Sequence, residues 1–460
     1  MNAEGLKNIY FIGIGGIGMS ALARYFKQLG KNVAGYDRTE TELTRTLVRE
    51  GIAVHYTDDI NLVDAAVLAN PSQSAVVYTP AVPKDHKELN YLRDKGYTLY
   101  KRAEILGLIT RETYTIAVGG THGKTTTSCM VAHLLRHANI GCGAFLGGIS
   151  ANFNSNFVLP DANAPEAITV TEADEFDRSF LHLSPNIAVI TSMDADHLDI
   201  YGEHSSLLES FHLFAHKIKA GGTLFVRFGQ PFNTQLEDAT VLTYGLGDGA
   251  DYYAANITIN NGHYYFDLVT PTNAYTNLKL GMPGIHNVEN AVAASSIALK
   301  MGVTEEQLRS GLAAFKGVKR RFEYIINRED FVYIDDYAHH PTELEAAIKS
   351  ARQLYPGKKI MGVFQPHLYS RTRDFVDGFA HSLSLLDEVI LLDIYPAREL
   401  PIDGVTSEII FDKITTAAKT LCTKDEFLAV IKNKQPEVLL TLGAGDIDQF
   451  VLPLQHLYTA

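Results

Sequence analysis

Residues 113–127, TYTIAVGGTHGKTTT, decide how this chain reads. Residues 115–118 are apolar and β-prone. After Lys124, Met130, Val131, Leu134 and Leu135 recur at helical spacing as far as Gly141, so Gly119, Gly120 and Gly123 stand between a strand and a helix. A glycine-rich turn in that setting is a phosphate cradle. Its glycines let backbone N–H groups converge on phosphate oxygens, and the helix start adds a positive dipole end. Lys124 can reach a terminal phosphate and the Thr125 hydroxyl can ligate Mg²⁺. ATP or GTP is the expected ligand. The strict P-loop pattern would want glycine where Val118 stands, so the loop is one residue short, which counts against an ordinary P-loop GTPase.

Around this stretch lie 460 residues, enough for about three domains at the usual ~100–200 residues each. Forty Lys and Arg against fifty-three Asp and Glu give a net charge of −13, which argues against general nucleic-acid or anionic-membrane binding and leaves anion binding to local sites. No apolar run approaches the roughly twenty residues of a membrane span, and residues 1–7 lack a secretory signal, so work in the cytoplasm is expected. Cys129, Cys142 and Cys422 form no CxxC and read as reduced thiols. Boundaries fall at Arg111-Glu112 and in the charged stretch from Lys319-Arg320-Arg321 to Asp330, giving domains 1–112, 113–325 and 326–460.

In the first segment, residues 8–12 are an apolar strand. Gly13-Ile14-Gly15-Gly16-Ile17-Gly18 then opens a helix with Met19, Leu22, Ala23, Phe26 and Leu29 on its apolar face, stopped at Gly30. A second strand, 32–35, leads to Asp37, placed where a carboxylate would meet a ribose hydroxyl. Alone, this segment says NAD-dependent oxidoreductase, yet any nucleotide diphosphate fits such a loop, and the plainer alternative for Asp37 is a polar strand end. Further strands are expected at 65–69 and 75–78, in a parallel sheet.

In the second segment, a strand at 167–171 ends in Glu172-Ala173-Asp174-Glu175-Phe176-Asp177, and one at 187–193 ends in Asp194-Ala195-Asp196-His197-Leu198-Asp199. Carboxylates and a histidine at strand ends beside a phosphate cradle predict a Mg²⁺ site. Strands 252–259 and 264–269 flank Asn260-Asn261-Gly262, a hairpin signal. A helix then runs from Gly284 to Met301, in which Asn287 or Asn290 could meet an adenine edge, or Asn287 could simply cap. In the third segment, the strand 331–334 leads into Asp335-Asp336-Tyr337-Ala338-His339-His340-Pro341, with Thr342 and Glu345 in a capping-box pattern. Strands 360–364, 389–394 and 438–442 also end in polar or glycine-rich loops, the first in QPHLYSRTR with Arg371 and Arg373. Four such strand ends on one sheet make a ligand crevice.

GIGGIGMSALA, GTHGKTTT, TEADEFDRSFL, DADHLD, GIHNVENAVAA, GVKRRFE, DDYAHHPTE, QPHLYSRTRDF and LGAGDI follow one another over nearly the whole length. In this the chain resembles the Mur ligases. GTHGKT alone points to the wider superfamily that includes folylpolyglutamate synthetase; DDYAHHPTE with YSRTRDF is far more specific.

The resemblance implies an α/β fold of three domains. These are a Rossmann-like parallel sheet for a UDP-sugar, a central P-loop ATPase domain with a small antiparallel extension, and a C-terminal Rossmann-like domain. It implies ATP-dependent ligation of L-alanine to the lactyl carboxylate of UDP-N-acetylmuramate through an acyl phosphate, a step of peptidoglycan precursor synthesis; a monomer or weak homodimer is expected. Gly120, Thr121, His122, Gly123, Lys124, Thr125 and Thr126 would hold ATP phosphates, with Asn287, Asn290 and Asp336 at its nucleoside. Thr125, Glu172 and His197 would hold Mg²⁺. Gly13, Gly15, Gly16, Gly18, Asp37 and Tyr337 would hold the UDP-sugar, and Arg371 and Arg373 the amino acid. Lys124, Arg321 and His339 would serve catalysis. Phe176 and Ala338 depart from the Ser and Gly common at those places. The alternatives are a murein tripeptide ligase acting on the same UDP-sugar, which GIGGIGMSALA disfavours, and the oxidoreductase, which explains only the first 40 residues.

Overall fold

The computed structural model describes residues 5–79, 82–161, 166–195, 198–232, 235–260, 262–397 and 399–459. It is mixed α/β, with an N-terminal parallel sheet, a central mixed sheet and a C-terminal sheet. The chain forms two compact units, one of residues 1–253, 270–273 and 292–311, the other of 254–269, 274–291 and 312–460.

In the first unit, β1 (Asn8–Ile12), β2 (Asn32–Tyr36), β3 (Ala53–His55), β4 (Ser74–Tyr78) and β5 (Thr98–Lys101) make a parallel sheet in the order β3-β2-β1-β4-β5. β1 is buried along its whole length, as a central parallel strand covered on both faces must be. The glycine loop leaves its carboxyl end, where the strand order reverses. The helix Ile17–Gln28 buries Met19, Leu22, Ala23 and Phe26 as the spacing predicts. Leu29, expected on that face, lies outside the helix as its C-cap and is half exposed.

Residues 65–69 are not a strand. Ala65–Ala69 is a short helix, because the Asp64 carboxylate accepts hydrogen bonds from the N–H groups of Ala66 and Val67 and so caps it. A short apolar run carries no period that separates strand from helix, and here the cap decides.

The central sheet holds, in this unit, β6 (Tyr114–Gly119), β7 (Cys142–Ser150), β8 (Ser155–Val158), β9 (Ile168–Ala173), β10 (Ile187–Ile190), β11 (Gly222–Arg227) and β12 (Ala239–Leu246), in the order β12-β11-β10-β6-β9-β7-β8. β6 is central, with parallel partners on both sides, Val118 facing Glu172 and Gly119 facing Ile190. Glu172 therefore lies inside its strand, and β10 stops at Ile190, three residues sooner than expected. Cys129, Cys142 and Cys422 are free and buried.

The second unit contains β13 (Tyr252–Asn260), β14 (His263–Val269) and β15 (Ala274–Leu280), in the order β15-β14-β13. Asn261, at the turn of the expected hairpin, lies outside the described residues. Its other strands are β16 (Glu323–Asn327), β17 (Val332–Asp336), β18 (Ile360–Phe364), β19 (Glu388–Leu391), β20 (Ala418–Leu421) and β21 (Val438–Leu442). They run β16-β17-β21-β18-β19-β20, antiparallel only at β16.

The capping-box reading of Thr342 and Glu345 is corrected: His340 is the N-cap, its Nδ1 accepting from Thr342 N, and Pro341 opens the helix Pro341–Leu354. The capping alternative for Asn287 also falls. The helix Ile285–Lys300 has already begun there, and the Asn287 amide donates backwards to Pro283 O at 2.6 Å. No helix among the described residues is long and apolar enough to cross a membrane.

Candidate active site

The cradle is shaped by the backbone and side chains of the residues that follow β10. Thr121 N donates to Ser192 O at 3.0 Å, His122 N to Ser192 Oγ at 2.8 Å, and Thr191 Oγ1 to the carbonyls of Gly119 and His122. Residues just past Ile190 are thus used to shape the loop rather than to extend the ladder. Gly120 has φ +130°, and a Cβ there would stand 2.0 Å from Thr191 Oγ1 and 2.8 Å from two backbone nitrogens. Gly123 is the left-handed N-cap (φ +81°) of the helix Lys124–His137, and no side chain caps that helix start. Its first N–H groups and dipole are available to an anion.

Lys124 donates to Gly120 O at 2.7 Å and pairs with Glu175, its Nζ 2.9 Å from Oε1 and 2.8 Å from Oε2. Burial works to lower its pKa, but Glu175, Glu172 and Asp174 outweigh that, so the ammonium stays charged well above the usual lysine range. Thr125 Oγ1 donates to Glu172 Oε2 at 2.6 Å. Gly147 lets Glu172 reach this position, since a Cβ there would lie 2.1 Å from Oε2. Two oxygen donors therefore converge beside Lys124, a set that fits a hard divalent cation. His197 lies outside the described residues, and the described ones hold no group of three or more His, Cys, Asp or Glu arranged for a metal. His122 Nε2 is 3.5 Å from Asp194 Oδ2. Thr126 is buried in the first turn of the helix.

At the N-terminal sheet, Gly15 N donates to Asp37 Oδ2 at 2.7 Å and Thr39 N to Asp37 Oδ1 at 3.1 Å. Asp37 thus braces the loop that contains Gly13, Gly15, Gly16 and Gly18. Only Gly13 of these has positive φ, +86°.

In the second unit, four parallel strands bring the polar loops to one sheet edge. Asp336 is buried, accepts from Phe322 N and Ala338 N at 2.7 Å each, and has its carboxyl pushed up to about 6 by burial, against the pull of nearby Arg321. Arg320 and Phe322 both hold left-handed backbone, φ +60° and +49°, so the segment presenting Arg321 is strained on both sides and is pinned by Asp336 and Glu323.

The Arg320 and Arg321 guanidinium carbons lie 5.2 and 5.1 Å from the Tyr337 ring centroid. Arg321 Nη1 is 3.7 Å from Glu343 Oε1, and His339 Nδ1 is 3.2 Å from Glu343 Oε2 and 3.0 Å from Tyr337 O. Arg321, Tyr337, His339 and Asp336 are therefore one cluster. Asn290 donates to Asn287 Oδ1 at 3.2 Å. Arg371 is buried, but Arg373 is exposed and bonded to its neighbour Asp374 at 2.7 Å, so the two are not brought together.

Sequence reading missed Glu175 and Glu343. Four carboxylates in six residues look alike in sequence, and only packing shows that Glu175 is the one buried against Lys124. Glu343 sits in DDYAHHPTE, but nothing in its spacing says it joins Arg321 to His339.

Three family models match the chain in sequence. They are the Mur ligase family catalytic domain over residues 8–114, the Mur ligase middle domain over 118–298, and the Mur ligase glutamate ligase domain over 320–445. A UDP-N-acetylmuramate--L-alanine ligase of Porphyromonas gingivalis is 54% identical over 99% of this chain and 100% of its own length. One from Christiangramia forsetii is 52% identical over 97% and 96%. Among solved structures, the UDP-N-acetylmuramate-alanine ligase MurC from Thermotoga maritima is similar with TM-score 0.83 and 29% identity, over 98% of this chain and 99% of that one. With its three sheets, its phosphate cradle and these matches from residue 8 to residue 445, the chain belongs to the Mur ligase family.

Proposed function

We propose that this chain joins L-alanine to the lactyl carboxylate of UDP-N-acetylmuramate at the expense of ATP, a step of peptidoglycan precursor synthesis. The observation that carries the proposal is the Lys124 cradle with Thr125 and Glu172 converging beside it, in a chain 54% identical over its length to a ligase of that name. A carboxylate and an ammonium do not condense in neutral water, because both are charged and oxide is a poor leaving group. Transfer of the γ-phosphoryl group to the carboxylate gives an acyl phosphate; the free amine adds to its carbonyl, and phosphate departs.

Such chemistry asks the protein for positioning and charge neutralisation. In the first unit, Gly120, Thr121, His122, Gly123, Lys124, Thr125 and Thr126 are assigned to the ATP phosphates, with Lys124 on the γ-phosphate. Thr125 and Glu172, with His197, would hold Mg²⁺, which supplies charge compensation on the phosphates. Gly13, Gly15, Gly16 and Gly18 are assigned to the diphosphate of the UDP-sugar, with Asp37 as their brace or a ribose acceptor.

In the second unit, Asn287, Asn290 and Asp336 are assigned to the nucleoside of ATP and Tyr337 to the UDP-sugar. Arg321 goes to the transferred phosphoryl group, Arg371 and Arg373 to the alanine carboxylate, and His339, oriented by Glu343, is the candidate base. The three domains are placed at 1–112, 113–325 and 326–460, and a cytoplasmic monomer or weak homodimer is expected.

The test is phosphate release from ATP and Mg²⁺ with UDP-N-acetylmuramate, with and without L-alanine, for the native chain and Lys124→Ala. Release that needs both substrates and disappears in the variant is the expected result. Release with a preformed tripeptide but not with alanine would move the reading to tripeptide ligation.

A further inference from the structure

Arg102 is a cation that the phosphate cradle leaves unused. It is the first residue of the helix Arg102–Glu112, and its guanidinium lies against Gly18: Nη1 is 2.9 Å, and Cδ 3.1 Å, from where a Cβ on Gly18 would stand. Gly18 sits inside the helix Ile17–Gln28 without a left-handed φ, so its backbone does not require glycine. A side chain there would have to displace the Arg102 guanidinium.

Helical side-chain directions lean towards the N-terminus, so a group at the Cβ position of Gly18 covers the preceding turn, the loop of Gly13, Gly15 and Gly16. A guanidinium there faces the positive end of one helix and begins another. Both are disfavoured places for a cation; no acidic residue stands in the first turn of Ile17–Gln28, whereas Glu104 stands in the first turn of the helix that Arg102 begins. Its carboxylate neighbour, Asp174 Oδ2, is 3.5 Å from Nη2 and partly solvated. That is too long for a direct hydrogen bond of full strength. An anion in the loop would satisfy the N–H groups of the helix start and the guanidinium together.

We propose that Arg102 binds the diphosphate of the sugar nucleotide held by this loop, and that Asp174 is the partner Arg102 gives up when the diphosphate arrives. The inference rests on the loop being the diphosphate cradle. It adds a binding residue that no glycine pattern specifies, and it joins the loop to the acidic segment that carries Glu172 and Glu175.

Calorimetric titration of the full chain with UDP-N-acetylmuramate, without ATP, tests it. Arg102→Gln should weaken binding roughly 10- to 100-fold, as loss of a hydrogen bond to a charged group does. Arg102→Lys should fall between the two. Asp174→Asn, which keeps an acceptor for Phe176 N, should tighten binding a few-fold by removing the competitor, and should tighten nothing when combined with Arg102→Gln. ATP affinity unchanged within about twofold in Arg102→Gln shows that the variant is folded. Unchanged sugar-nucleotide affinity in Arg102→Gln, or weaker binding in Asp174→Asn, overturns the assignment while leaving the loop reading intact. If the native chain does not bind the sugar nucleotide, the loop reading falls and Arg102 with it.

Discussion

Gly120 shows how little freedom the cradle leaves at a single position. Its φ of +130° suits glycine alone, and an added methyl would overlap Thr191 Oγ1 and press on the Thr191 and Ser192 nitrogens. Strain and overpacking together put the cost of Gly120→Ala at about 2–5 kcal/mol. Urea unfolding should show that loss, and ATP binding should disappear; a variant of native stability would mean that the loop is free to relax.

Glu88 makes a different kind of prediction. Its side chain is buried, accepting from Tyr10 OH at 2.7 Å and Asp59 N at 3.0 Å, and burial pushes its carboxyl up from 4.5 to about 7. A carboxyl raised in this way favours the fold below about 4.5 and loses that contribution as pH rises through about 7. The cluster reaches water at His55 and Asp58, which screens the effect to about 1–2 kcal/mol. Glu88→Gln cannot ionise, so its stability relative to the native chain should rise by that amount between pH 5 and pH 8. Equal differences at the two pH values, read from urea midpoints, would sink the idea.

Among the elements, those with a clear period or a flanking glycine were legible and those set by one side-chain bond were not. Residues 8–12, 360–364 and 438–442 are strands at the predicted bounds, because buried parallel strands are continuous apolar runs closed by turn residues. The run AAVLA looks the same but follows Asp64, whose carboxylate holds two amide groups and turns it into a helix. Asp64→Ala should therefore cost about 1 kcal/mol, seen as a lower urea midpoint with the m-value unchanged. A cost near zero would mean that packing of Val67, not the cap, forms this helix. At Thr342 the sequence offered an ordinary capping box, yet His340 takes the cap because Pro341 already begins the helix.

For the whole molecule the decisive quantity is linkage between ligand and fold. A chain of net charge −13 holds anions only where cations and helix starts are gathered, so binding energy is concentrated at a few groups. ATP at 100 times its Kd should stabilise the native chain by about 2.7 kcal/mol, and the thermal midpoint should climb by a few degrees with ATP concentration. Lys124→Ala should flatten that climb. An equal rise in both proteins would place ATP away from the cradle.

The sequence by itself determined the family, the α/β class, the parallel N-terminal sheet and the position of the cradle between β6 and its helix. These depend on apolar periodicity and on glycines whose neighbours in the chain are their neighbours in space. It also pointed to the strand ends from which Asp336, Tyr337, His339 and Arg371 emerge. Only the tertiary structure decided which of four adjacent carboxylates pairs with Lys124, that Glu343 ties Arg321 to His339, that Arg373 turns to solvent, and that Arg102 lies over Gly18. Each of these is a contact between residues that share no local period, fixed by which groups the packed sheets and helices bury together, and no spacing along the chain encodes it.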